Sequence, residues 1–154
     1  MASSSGKGRS RNLGFEDCLK NHKIVFFPRA KKLVRKEFSA AQEDLEETRD
    51  RLAHGKFKYA TINSYYAIFH GARALLYSRG YRERSHNCLA MALEVLFADK
   101  LLLDRRFIRV FRESMALRED ADYSGSFSQE GAMQSILNAE EFIAAARVIL
   151  GLHD

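Results

Sequence analysis

The chain has 154 residues, with 25 Lys and Arg against 20 Asp and Glu, a net charge of +5 and a pI near 9.3. That length suits one domain with a core of its own, and 46% hydrophobic with 29% charged residues is an ordinary soluble composition. No apolar run approaches the length that crosses a bilayer, so no membrane role is expected, and the basic balance fits a phosphate-rich partner without requiring one.

Met1 to Asn12 is Ser, Gly, Lys and Arg without an apolar signal core, and reads as a flexible tail. Residues 1–27 as a whole read as that tail plus an irregular lead-in, with the bundle proper at 28–154. The apolar patch Ile24–Phe27 stands just before Pro28, the chain's one proline, which suits the first turn of a helix. Cys18 and Cys88 lie in no spacing motif, which argues against a disulfide framework and for a reducing cytoplasm.

From about Arg29 to Ala53, Val34, Phe38, Ala41, Leu45, Thr48 and Leu52 recur at steps of four and three, one face of a first helix. A second helix is expected from Phe57 to Arg79. Ile62, Tyr65, Phe69, Ala72 and Leu76 form one stripe, and Tyr66, Ala67, Ile68, Ala74 and Leu75 cover much of the rest. A helix apolar on nearly every side must be surrounded, so it belongs at the centre of a bundle. Gly71 inside it costs helix stability and points to a close crossing.

Ser85 is a good N-cap for a third helix, about His86 to Asp99, with Leu89, Leu93 and Leu96 inward. Asp104 can cap a fourth, about Arg105 to Ala121, with Phe107, Val110, Phe111, Ser114 and Leu117 inward. A fifth runs from about Gln129 to Leu150. With no strand-like alternation, the expected fold is all-α, an up-and-down bundle of about five helices without a sheet.

Arg118 follows Phe107 by eleven residues and Phe111 by seven, so this cation should point with the aromatic side chains of its helix. A charge placed there needs a partner, locally Asp122 four residues on, or an interface with trapped polar groups. Asn63, Tyr66, His70 and Arg73 share one side of the central helix, either lining a groove with Asp122 or forming a satisfied set of core hydrogen bonds. Arg105, Arg109 and Arg112 make a stripe that could track phosphates, as could Lys31, Lys32, Arg35 and Lys36, and Arg79, Arg82 and Arg84. Solvated helix faces look the same. No Gly-rich phosphate loop, nucleophile elbow or metal-ligand spacing among the histidines and cysteines is present, so neither cofactor nor metal is expected.

The run Ala60-x-x-Asn63-x-Tyr65-Tyr66-Ala-x-Phe69-His70-x-Ala-Arg73-Ala-Leu-Leu76 resembles the second helix of HEPN-domain proteins, nearest to their stand-alone prokaryotic branch. Arg84-Ser-His86, Leu117-Arg-Glu-Asp-Ala-Asp-Tyr123 and Ala139-Glu-Glu-Phe142 fall in the matching order, so the resemblance covers roughly residues 15–150. It implies a HEPN-like bundle that pairs into a homodimer. Active members resemble metal-independent ribonucleases whose motif is an arginine, four to six residues, then a histidine. Here the arginine is Arg118, and the permitted histidine positions hold Tyr123, Ser124 and Gly125.

An unperturbed tyrosine titrates near about 10, far from histidine's range, though Tyr123 could stack on a base. The resemblance also implies a minimal nucleotidyltransferase as partner, in a toxin–antitoxin pair. The leading expectation is a cytoplasmic, dimeric module that binds RNA or nucleotide and cleaves poorly. The alternatives are a metal-independent endoribonuclease using Arg118, with Tyr123 or another group in place of the histidine, and a partner subunit that binds no nucleic acid.

Overall fold

A computed structural model describes residues 14–153; the tail expected at Met1 to Asn12 lies outside them. Residues 14–20 form α1, followed by β1 (Ile24–Phe26), a 3-10 segment (Pro28–Leu33), α2 (Val34–Ala53) and α3 (Phe57–Ser78). Then come β2 (Tyr81–Glu83), α4 (His86–Leu93), α5 (Arg106–Glu119) and α6 (Gln129–Leu150). Two π turns, Glu94–Ala98 and Asp120–Ser124, extend α4 and α5.

The fold is an all-α bundle with α3 at its centre, packed against α2, α4, α5 and α6. The burial of α3 explains its composition. Tyr65, Ile68, Leu75 and Leu76 are sealed from solvent, and its small residues let neighbours approach closely. A Cβ at Gly71 would stand 3.4 Å from the Phe142 ring of α6, which is the close crossing its presence implied. Each large apolar side chain so buried contributes about 1.5–3 kcal/mol. On α2 the expected face is buried at Phe38, Ala41, Leu45 and Thr48, and the Thr48 hydroxyl is satisfied by the Asp44 carbonyl at 2.8 Å.

Four expectations are corrected. The lead-in is not irregular throughout, because residues 14–20 are helical and bury Phe15 and Cys18. The bundle carries a small sheet after all, since β1 and β2 pair antiparallel with Val25 opposite Arg82 and Phe26 opposite Tyr81. Strands of three residues are too short to display alternation, and only the turn at Gly80 (φ +79°) brings the second against the first. Cys18 and Cys88 form a disulfide joining α1 to α4 with Cα atoms 5.8 Å apart; cysteines 70 positions apart leave no local mark of their pairing. Leu117, expected inward, is exposed, because Ser114 and Arg118 take the inward position on that last turn of α5.

The helix starts are chemically marked. Ser85 Oγ accepts from the Cys88 amide at 3.3 Å, and Ser128 Oγ from the Gly131 amide at 2.9 Å. Asp104 accepts from the Arg106 amide at 2.9 Å. The first helix expected from Arg29 becomes α-helical only at Val34, after the 3-10 segment.

Candidate functional site

The last inward turn of α5 carries Phe111, Ser114 and then Arg118 against α3. The π turn that follows packs more residues into each turn than an α-helix, and such widenings are frequent at functional sites. Here the wider turn brings Asp122 and Tyr123 back over the Arg118 side chain. Asp122 Oδ2 lies 3.5 Å from Arg118 Nη2, and the guanidinium carbon is 5.6 Å from the centre of the Tyr123 ring. Gly125, in the left-handed region at φ +65°, ends the turn.

Arg118 is therefore an inward-facing cation caged by aromatic rings. Its Nη2 donates to the Tyr66 hydroxyl at 3.0 Å, and its guanidinium lies 5.5 Å and 5.9 Å from the rings of Tyr66 and Tyr65. Burial works against its charge, but Tyr66, Tyr123 and Asp122 together outweigh burial and hold the guanidinium protonated. Two polar atoms on this turn, Arg118 Nε and Ser114 Oγ, are buried without a hydrogen-bond partner. Unsatisfied buried donors cost stability and are rare in folded proteins. The cage is asymmetric: Tyr65 is fully buried, whereas Tyr123 is 76% exposed and forms its outer lip.

A histidine stands in the same cluster. The Tyr65 hydroxyl and His86 Nδ1 share a short hydrogen bond, and the imidazole stacks on Phe69 at 4.5 Å and on Tyr65 at 5.7 Å between ring centres. Burial pushes His86 below its ordinary value, the charges of Arg118 and Arg73 push the same way, and Glu83 opposes them. Burial likewise pushes the Tyr65 phenol far above its usual range, so it stays protonated. His86 stands 32 positions before Arg118 in the chain, so no local spacing joins them; the visible signals were Ser85, whose cap fixes the start of α4, and the Arg84-Ser-His86 segment of the resemblance.

The structure divides the groove expected from Asn63, Tyr66, His70, Arg73 and Asp122. Tyr66 and Asp122 belong to the Arg118 cage. His70 and Arg73 instead enter an acidic network between α2, α3 and β2. His70 Nδ1 donates to Glu37 Oε2 at 2.8 Å, His70 Nε2 lies 3.6 Å from Asp44, and Arg73 lies 3.6 Å from Glu37. Burial pushes Glu37 up, but the His70 hydrogen bond and the Arg73 charge outweigh it and hold this carboxyl below the usual range. Burial raises Asp44, whose carboxyl is also held by Asn63.

The arginine stripe on α5 is largely committed to acids. Arg105 reaches Asp99 at 2.7 Å and Glu94 at 3.2 Å, and Arg109 lies 3.8 Å from Glu113. Arg112 is exposed. The other basic clusters converge in part: Lys31, Lys32, Arg35 and Arg79 line a cavity of about 620 Å³ with Phe97 and Ile149, whereas Lys36, Arg82 and Arg84 are not among its lining residues. No group of three or more His, Cys, Asp or Glu side chains able to hold a metal occurs among the described residues.

The family described as HEPN domain matches residues 34–152, a span that contains the whole Arg118 cage and His86. The chain is also similar to a protein of Methanocaldococcus jannaschii named "Putative toxin MJ0605", with 28% identity over 115 residues, 71% of this chain and 86% of that protein.

Proposed function

The chain belongs to the HEPN-domain family, and on that premise we propose a toxin-type HEPN protein that works as a two-fold homodimer and holds RNA or a nucleotide at the Arg118 face. The observation that carries this reading is the cage itself. It offers a guanidinium on a side chain that remains 17% exposed, a cation suited to a phosphate oxygen. Tyr123 beside it is exposed and able to stack on a base. The toxin-like relative supports the same reading, and a minimal nucleotidyltransferase is the proposed antitoxin partner.

Dimerisation is supported by the apolar rim beside the cage. Phe127, Met133 and Leu137 are each about half exposed, and Leu117 and Phe127 line a shallow cavity of about 220 Å³ with Thr61 and Asp120. Contiguous exposed apolar surface of this kind favours association, and a two-fold pairing through it would bring two Arg118 cages near one seam. With RNA as ligand, the proposed location is the cytoplasm, where the Cys18–Cys88 bond is open to cellular reductants. No helix among the described residues is long and apolar enough to cross a membrane.

The test is gel retardation of labelled single-stranded RNA at low and high salt, with sedimentation on the same samples. Wild type should retard RNA at low salt, lose it steeply as salt rises, and sediment as two chains. Arg118→Ala should weaken binding at least tenfold while remaining folded. Failure of the wild type to bind RNA or nucleotide at low salt would overturn the proposal.

A further inference from the structure

We propose that His86, brought into the Arg118 cage through Tyr65, is the proton-exchanging group of this site, so that the chain cleaves RNA even though Tyr123 occupies the histidine position of the motif. The inference rests on the reading that RNA binds at the Arg118 face.

The geometry supplies three parts of one catalytic unit on three elements. Arg118 at the end of α5 provides the phosphate-holding cation, Tyr65 at the centre of α3 joins the two, and His86 at the first turn of α4 provides the imidazole. Tyr65 lies 5.9 Å from the Arg118 guanidinium and 5.7 Å from the His86 ring, so cation and imidazole flank a single buried phenol. The hydrogen bond to Tyr65 occupies Nδ1, and stacking on Phe69 fixes the plane of the ring. With Nδ1–H donating to the Tyr65 oxygen, the neutral imidazole carries its lone pair on Nε2, which is then the atom left to act. Among the described residues it has no hydrogen-bond partner and is not sealed from solvent. A base must be neutral to accept a proton, and burial together with the nearby arginines favours the neutral imidazole.

The step balances with the groups present. His86 Nε2 takes the proton of a ribose 2′-hydroxyl, and the 2′-oxygen forms a bond to the phosphorus whose oxygens Arg118 holds. The bond from phosphorus to the 5′-oxygen breaks, and that oxygen takes a proton from water. The products are a 2′,3′-cyclic phosphate and a 5′-hydroxyl, and His86 returns its proton to solvent. No oxidant, metal or further reactant is needed. The charged and titratable groups that act on His86 are Glu83 from β2, Arg73 and Tyr65 from α3, and Arg118 and Glu119 from α5.

The experiment uses the full chain and a labelled single-stranded RNA, with cleavage and retardation read on the same samples. Wild type, His86→Gln, His86→Ala, Tyr65→Phe and Arg118→Ala are compared, each checked by circular dichroism for its melting transition. Wild type should cleave, and its rate should rise with pH and level off below the ordinary histidine range. Both His86 variants should lose at least a hundredfold in rate while still retarding RNA, and Tyr65→Phe should displace the pH profile. His86→Gln keeps the size and a hydrogen-bonding group, so a folded but inactive Gln variant distinguishes proton exchange from support of the fold. A wild type that binds RNA without cutting it, or His86 variants that cut as fast as wild type, would overturn the inference and leave the binding proposal standing. A wild type that binds no RNA would overturn both.

Discussion

Arg73 closes on Glu83 through two nearly parallel hydrogen bonds, Nε to Oε1 at 2.7 Å and Nη2 to Oε2 at 3.2 Å. This fork ties the middle of α3 to β2 and gives Glu83, whose side chain is only 4% exposed, a hydrogen-bonded partner inside the fold. The same guanidinium lies 4.5 Å over the Phe69 ring, the ring on which His86 stacks. A fold-supporting ion pair and the candidate site thus share one aromatic side chain.

Removing one half of that fork should strand the other. Glu83→Ala leaves a partly buried guanidinium with only Glu37 at 3.6 Å, and breaking a buried pair costs about 3–5 kcal/mol. Urea denaturation should show an unfolding free energy lowered by that amount. A variant within about 1 kcal/mol of wild type would mean that the pair is solvated and of no consequence to stability.

Arg118 should behave in the opposite way. Its Nε is buried without a partner, so the cage already carries an unsatisfied donor. Arg118→Met keeps the length and apolar stem while removing that donor, and replacement of a buried charge by an apolar group of similar volume is often neutral or stabilising, by about 1–4 kcal/mol. Thermal melting should therefore show Arg118→Met at or above the wild-type transition. A drop of several degrees would show that the cation supports the fold rather than a ligand.

Acid sensitivity should come from two groups in succession. His86 has a folded-state value below 6.5, so near and below that pH the unfolded chain binds more protons than the folded one, and stability falls as pH drops through that window. Glu37 is held below 4.5, so its contribution is present above that value and is lost as pH falls through its lowered folded value. Raised Asp44 acts with the opposite sign and offsets part of the second loss. Urea midpoints at pH 7.5 and 5.5 should differ for wild type and differ less for His86→Phe. An unchanged difference would place the upper acid limb elsewhere.

The disulfide should matter in proportion to the chain it closes. Cys18 and Cys88 are 70 positions apart, and restricting an unfolded loop of that size is worth about 4 kcal/mol on the chain-entropy account. Reduction, or Cys88→Ser, should lower the unfolding free energy by up to that amount without abolishing the helical signal. No change between oxidised and reduced chains would show that the bond does not form in solution.

The bundle was legible in the sequence because its signals are local and repeat along the helices. The all-round apolar surface of α3 placed it at the centre, and Ser85 marked the start of α4 from one residue's chemistry. Arg118 was also legible, since its spacing from Phe107 and Phe111 fixed which way it points. The pairs that depend on tertiary approach were not. Cys18 with Cys88, Ile24–Phe26 with Tyr81–Glu83, and Tyr65 with His86 meet only after the helices have packed. For His70 and Arg73 the choice between a groove and a satisfied set of hydrogen bonds stayed open in the sequence, because the acids that satisfy them, Glu37, Asp44 and Glu83, lie on other elements.

The Cys18–Cys88 bond also divides the molecule into a tethered and an untethered half. The covalent ring it closes runs through α2 and α3 and includes His86, two residues before Cys88, whereas α5 and α6 lie outside it and are held by non-covalent contacts, packing together with polar links such as Arg118 to Tyr66 and Arg49 to Glu140. A partial opening that releases α5 and α6 while the ring stays intact is the sub-global unfolding this topology favours. Such an opening would carry Arg118 and Tyr123 away from Tyr65 and His86. The site therefore exists only while the untethered half is docked, and any partner that grips α5 or α6 holds control over its assembly.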